Sequence, residues 1–248
     1  MNTTAESSSG APERTPRVVV VTGANRGIGY AIAERLVAAG DAVASIHRSG
    51  QLPDGVLSVK ADIRDTEAVD AAFTQIESDL GPVQVLIANA GITKDTLLMR
   101  MSDDDFTQVL DVNLAGTFRC VRRASKPMIR GRYGRIVLIS SVVGLYGSPG
   151  QVNYAASKSA LVGMARSVTR ELGGRGITCN VVAPGFIDTA MTAELPEATQ
   201  ASYRAAIPAG RFAQPQEVAA AVEFVASDEA AYITGAVIPV DGGLGMGH

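Results

Sequence analysis

Tyr154 and Lys158 stand four residues apart in Tyr154-Ala-Ala-Ser-Lys158. On a helix that spacing puts both side chains on one face. A phenol titrates near ~10 and is a poor proton donor at neutral pH, but a neighbouring ammonium stabilises its anion and lowers that pKa. The pair is therefore a candidate general acid/base for a carbonyl or an alcohol. Tyr and Lys one turn apart are also common on ordinary helices, so the pair needs support from the rest of the chain.

A second stretch, Thr22-Gly-Ala-Asn-Arg-Gly-Ile-Gly29, points to nucleotide binding. It follows a β-branched run, Arg17 to Thr22, that reads as a strand buried on both faces. It precedes a helical pattern, Tyr30 to Ala39, stopped by Gly40. Strand, glycine loop and helix aim backbone N–H groups and the helix dipole at a pyrophosphate. Gly23, Asn25, Arg26, Gly27, Ile28 and Gly29 are the residues that would hold it, in the spacing G-x-x-x-G-x-G. The next strand, Ala42 to His47, ends at Arg48, where an NAD-binding fold would carry an acid. Arg26 and Arg48 would instead pair with a 2′-phosphate, which favours NADP(H). His47 itself is read as packed or solvent-facing.

The elements that position these residues alternate strand and helix along the chain. Val56 to Ala61 ends at Asp62-Ile63, where Asp62 could accept a bond from an adenine amino group or cap the next helix, a role equally open to Asp65 or Thr66. Val83 to Ala88 ends at Asn89-Ala90-Gly91, small residues beside which a flat cofactor could lie. A long helix is expected between Met99 and Arg130, entered through Ser102, with Asn113 on its apolar face; Asn113 is either a core hydrogen-bonding residue or part of a site. Arg135 to Ile139 leads to Ser140-Ser141, at the carboxyl end where a parallel sheet binds its ligand. A loop over Val142 to Asn153 joins Ser141 to the helix from Tyr154 to Leu172. That helix is too apolar all round for a solvent-facing one and is expected to pack on a second copy of itself or of the Phe106–Met128 helix. After Gly176 to Ala183 comes Pro184-Gly185, then a segment, about 186–211, that reads as a mobile substrate lid. Gln214 to Ala226 and Ala236 to Val240 complete the pattern. The whole predicts an α/β chain with one Rossmann-type, doubly wound, seven-stranded, mainly parallel sheet carrying helices on both faces, over 17–248, behind a disordered tail at 1–16.

Composition narrows the class. With 46% apolar residues in 248 and only 5% aromatics, the core must be mainly Val, Ile, Leu and Ala. A net charge of −3 argues against a nucleic-acid surface. The two cysteines, Cys120 and Cys179, lack metal-ligand spacing, so no metal site is expected, and they read as reduced thiols of a cytoplasmic protein. No apolar run approaches the ~18–20 residues that span a bilayer.

The joint occurrence of Thr22–Gly29, Asn89-Ala-Gly91, Asn113, Ser141, Tyr154, Lys158 and Pro184-Gly185 resembles the short-chain dehydrogenase/reductase family. Within it the chain is similar to bacterial 3-oxoacyl-[acyl-carrier-protein] reductases, on Asp111–Phe118, Asn153–Lys158 and Tyr232–Gly243, and to their actinobacterial branch for mycolic-acid precursors, on His47-Arg48 and Gly245–His248. That branch tends to carry Trp where Tyr146 stands. The resemblance implies NADPH as hydride donor, Tyr154 as proton donor and Lys158 as its partner and ribose ligand. It implies Ser141, not Ser140, as the hydroxyl on the substrate oxygen. Asn113 would hold a water that resupplies protons, and Ile187 and Thr189 would touch the nicotinamide carboxamide. It further implies a homotetramer and a carrier-protein contact at Arg132 and Arg175.

Overall fold

The computed structural model describes residues 15–189, 192 and 196–246; most of the expected tail and part of the expected lid lie outside them. Seven strands form one sheet in the order β3-β2-β1-β4-β5-β6-β7. They are β1 Val18–Thr22, β2 Ala42–His47, β3 Leu57–Lys60, β4 Val85–Ala88, β5 Gly134–Ile139, β6 Ile177–Pro184 and β7 Val237–Val240. Every neighbouring pair is parallel, where the sequence reading expected a mainly parallel sheet. The chain winds outward from β1 to β3, then crosses back to β4 and winds the other way. Strand order therefore reverses between β1 and β4, and a crevice opens beyond their carboxyl ends.

The alternation of strand side chains builds two cores. Val18 and Val20 of β1 point with Leu86, Ile136 and Leu138 into one layer, against α2 (Thr66–Leu80), α4 (Thr117–Gly131) and α6 (Val152–Leu172). Val19 and Val21 point with Ile87, Val137 and Ile139 into the other, against α1 (Gly27–Ala38) and the helix Pro215–Val225. A strand covered on both faces needs no polar residue, and β1 has none before Thr22.

Two local expectations are corrected. The long helix is divided: a capping box at Ser102 starts α3 (Asp103–Leu110), and a π-helical stretch, Asp111–Gly116, separates it from α4. The wider turn carries Asn113, and π-turns tend to mark functional sites. The loop after Ser141 contains a short helix, α5 (Val143–Tyr146), and α6 begins at Val152, two residues before Tyr154. The segment after β6 leaves and returns at one place. Ile187 bridges Ala213, the Asp188 amide donates to the Ala213 carbonyl at 2.8 Å, and the Ala213 amide donates to the Phe186 carbonyl at 3.1 Å.

The sheet's amino-terminal side is held by a buried ion pair. The Arg17 guanidinium donates to both Asp41 oxygens, at 3.1 and 2.8 Å, and also to the Ala226 carbonyl. Removing one partner of a buried pair leaves the other uncompensated, at a cost of about 3–5 kcal/mol. Asp41→Ala is expected to lose stability of that order in urea unfolding; a loss below about 1 kcal/mol would place the pair among the inconsequential surface bridges.

Candidate active site

The crevice is framed by side chains that lock β1 to β4 at their ends. The Thr22 hydroxyl accepts from the amides of Asn89 and Ala90, both at 3.0 Å. The Asn89 amide group donates back to the carbonyls of Thr22 at 3.0 Å and Gly23 at 3.1 Å. α1 then approaches so closely that a Cβ on Gly29 would stand 2.4 Å from both the Asn89 Nδ2 and the Gly23 carbonyl oxygen. Only glycine fits there. Gly27 opens α1 with a φ of +53°, and Arg26 before it is extended with no side-chain cap. The first amides of α1 thus lack a side-chain acceptor, as a pyrophosphate-binding turn requires.

The remaining cofactor candidates fall around this turn. Arg26 and Arg48 are exposed. Ile63 is buried against Gly116, where a Cβ would come within 2.7 Å of it. Thr189 lies across the glycine loop, its methyl 3.6 Å from where a Gly27 Cβ would stand, and Ile187 is buried beside it. Asp62 is engaged locally: Arg64 donates to its carboxylate at 2.6 Å and holds its pKa below the ordinary value. To accept from an adenine it would share that carboxylate with Arg64. Asp65 provides the cap of α2, accepting from the Glu67 and Ala68 amides. His47 is buried between Ser49 and Ser58 and is structural.

Ser141, Tyr154, Lys158, Asn113 and Gly91 come together on the crevice's other wall. The Ser141 hydroxyl lies close enough to the Tyr154 phenol to pull its pKa down, and it accepts from the Val143 amide at 3.2 Å. Ser140 is buried and donates to the Lys158 carbonyl at 2.9 Å, a structural role that leaves Ser141 as the crevice hydroxyl. Lys158 is 4% exposed and its ammonium donates to the Ile139 carbonyl at 2.7 Å. A Cβ on Gly91 would meet the Asn113 Oδ1 at 3.2 Å and the Lys158 Nζ at 3.4 Å. Asn113 is a fully buried hydrogen-bonding residue that stands beside Gly91. It accepts from the Ile92 amide and donates to the Ile92 carbonyl and to Ser157.

The electrostatics reverse one expectation. Desolvation pushes the Tyr154 phenol up to about 12, against the downward pull of its Ser141 bond and with a further upward push from Asp95. Lys158 does not depress it, because the ammonium turns to Ile139 and lies 5.7 Å from the phenol ring centre. Burial lowers Lys158 itself to about 8. Tyr154 is accordingly a fully protonated acid at neutral pH.

Some residues at the site had no sequence signal of their own, and two candidate residues lie away from it. Asn153, Ser157 and Asp95 surround Tyr154, yet a polar residue beside a motif has no spacing of its own to announce it. Arg132 and Arg175 precede β5 and β6, at the sheet's amino end. With six residues in β5, they stand ~20 Å from Ser141. Among the described residues no group of three His, Cys, Asp or Glu could hold a metal ion, and no helix is long and apolar enough to cross a membrane.

A family model described as enoyl-(acyl carrier protein) reductase matches residues 23–245. The chain is 53% identical to the 3-oxoacyl-[acyl-carrier-protein] reductase MabA of Mycobacterium avium, over all of this chain and 97% of the relative. It is 52% identical to MabA of Mycobacterium tuberculosis H37Rv, over 99% of this chain and 100% of the relative. It is 44% identical to the 3-oxoacyl-[acyl-carrier-protein] reductase FabG of Escherichia coli K12, over 93% and 98%.

The lowered pKa of Lys158 has a stability consequence. Folded protein binds this proton less readily than unfolded protein, so a buried ammonium destabilises the fold below pH about 8, and the cost fades as pH rises toward 10.5. The difference corresponds to on the order of 3 kcal/mol. Lys158→Met is expected to melt above the parent at pH 7, with the gap closing by pH ~10. A gap that does not change with pH would refute the assignment.

Proposed function

The chain belongs to the short-chain dehydrogenase/reductase family, and from that premise we propose that it reduces 3-oxoacyl-[acyl-carrier-protein] to the 3-hydroxyacyl thioester with NADPH, in fatty-acid elongation. The observation that carries this is the convergence of Ser141, Tyr154 and Lys158 beside Gly91, on the wall opposite an uncapped glycine turn.

NADPH, when bound, would supply a hydride for C3 of the substrate. Ser141 and Tyr154 hold the ketone oxygen between two hydroxyls, and hydrogen bonds aimed at that oxygen favour the charge developing on it. Tyr154 gives its proton to the oxygen as the C–O π bond breaks, leaving a phenolate. Lys158, released from Ile139, stabilises that anion, binds the nicotinamide ribose hydroxyls and passes on a replacement proton; Asn113 holds the water that supplies it. Arg26 and Arg48 would bind the 2′-phosphate; Gly23, Asn25, Gly27, Ile28 and Gly29 would hold the pyrophosphate; Asp62, Ile63, Asn89, Ala90, Gly91, Ile187 and Thr189 would line the rest.

The wider reading is a cytoplasmic homotetramer that takes long-chain precursors, its subunits meeting through α6 and α4. The outward side of α6 carries the small residues Ala156, Ser159 and Gly163, and Phe118 stands exposed on α4. The two cysteines are buried thiols pushed up to about 12, inert as a reducing compartment would have them. In such an assembly a carrier held by Arg132 and Arg175 serves a neighbouring subunit, since their own crevice is at the far end of the sheet. A second reading, reduction of another ketone or secondary alcohol, uses the same catalytic groups.

NADPH oxidation with acetoacetyl-CoA, longer 3-oxoacyl-CoA, an enoyl-CoA and simple ketones separates these readings. Turnover is expected with the 3-oxoacyl thioesters; its absence with all of them would reject the reductase reading. Tyr154→Phe is expected to lower kcat about 10²–10⁴-fold. Arg48→Ala is expected to weaken NADPH about 10–100-fold and leave NADH unchanged, the value of a charge-assisted contact; equal use of both cofactors by the parent would overturn the NADP assignment.

A further inference from the structure

Asn153 precedes Tyr154 and is fully buried. Its Oδ1 accepts from the Tyr154 amide at 2.8 Å, while its Nδ2 donates to the carbonyls of Lys94 at 3.0 Å and Asp105 at 3.2 Å. α6 begins at Val152, so the Tyr154 amide lies in the first turn, where no intrahelical acceptor exists. Gln151 at the N-cap offers no side-chain bond. Asn153 therefore caps the helix from inside it and ties the turn to two other elements, the segment after β4 and the first turn of α3.

The carbonyl of Tyr154 is held as well. Ser157 donates to it at 2.7 Å and accepts at 3.0 Å from Asn113, which grips both backbone groups of Ile92. Both peptide groups flanking the Tyr154 Cα are thus bonded by side chains, and both routes reach the stretch that follows Gly91, one at Lys94 (and also at Asp105 of α3), the other at Ile92. The phenol sits at the end of a long lever from that Cα, so a small tilt of the first turn displaces it.

We propose that Asn153 is a positioning residue for proton transfer, setting the place of the Tyr154 phenol by clamping its amide to the Lys94 and Asp105 carbonyls. The inference rests on Tyr154 being the proton donor, which Tyr154→Phe tests separately. Misplacement of a reacting group by ~1 Å can cost about 100-fold in rate. Asn153→Ala is expected to lose about that much kcat with acetoacetyl-CoA, with the NADPH Kd, read from its fluorescence, within about twofold of the parent. Asn153→Ser, whose hydroxyl can still accept from the Tyr154 amide, is expected to recover part of the loss.

A folded Asn153→Ala that keeps kcat within about threefold overturns the proposal, as does a parallel collapse of NADPH affinity, which would mark general damage. If neither variant folds, amide exchange in the parent decides. The Tyr154 amide should exchange slowly, like the buried turns of α6, and exchange as fast as Val152's overturns the proposal. Full turnover by Tyr154→Phe would instead remove the reading beneath it, whatever Asn153 does.

Discussion

Thr22 and Asn89 exchange four hydrogen bonds across the ends of β1 and β4, with their own and neighbouring peptide groups. At a reversal of strand order the two chains must part, and the peptide groups at the parting lose their sheet partners. The Thr22 hydroxyl and the Asn89 amide replace those partners, so the strands separate without leaving buried polar groups unpaired. The crevice, the close seat of α1 on Gly29 and the exposure of Gly91 all depend on that substitution. A larger or apolar residue at either position would both unpair backbone groups and close the space.

The opposite wall is built on a different balance. Lys158 is buried with desolvation unopposed among the described residues, and Tyr154 is buried with the Asp95 charge acting on it. Burial therefore moves the two pKa values apart, to about 12 and about 8. That ordering keeps the phenol protonated and makes the amine easy to discharge, a distribution suited to giving a proton rather than taking one. Much of the surrounding hydrogen bonding, through Ser140, Ser157, Asn113 and Asn153, holds these groups against the cost of their burial.

Much of this could be read from the chain. β1 and the glycine turn are local features: a β-branched run and glycines at fixed offsets define them without reference to anything distant. Ser141, Tyr154 and Lys158 follow from one helical spacing and one strand end. The π-turn around Asn113 could not be read, because the partners Asn113 meets there, Ile92 and Ser157, are remote in sequence. The direction of the Tyr154 shift failed for the same reason: helical spacing puts Lys158 near the phenol but cannot show that its ammonium turns to Ile139. Arg132 and Arg175 were legible as charges and not as places, since only the topology assigns them to the sheet's far end.

The bridge between Ile187 and Ala213 closes the segment over the crevice into a loop whose two ends already touch. The entropy of bringing those ends together is offset at the ends themselves, by the backbone bonds between Phe186, Asp188 and Ala213. Doubling the length of such a loop costs only ~0.6 kcal/mol more. The segment therefore behaves as an exchangeable cassette. Its interior, Tyr203 included, can be rewritten for a new acyl group while the sheet, the cofactor turn and the acid beneath stay as they are, with Phe186, which stacks on Tyr203, standing just outside the bridge.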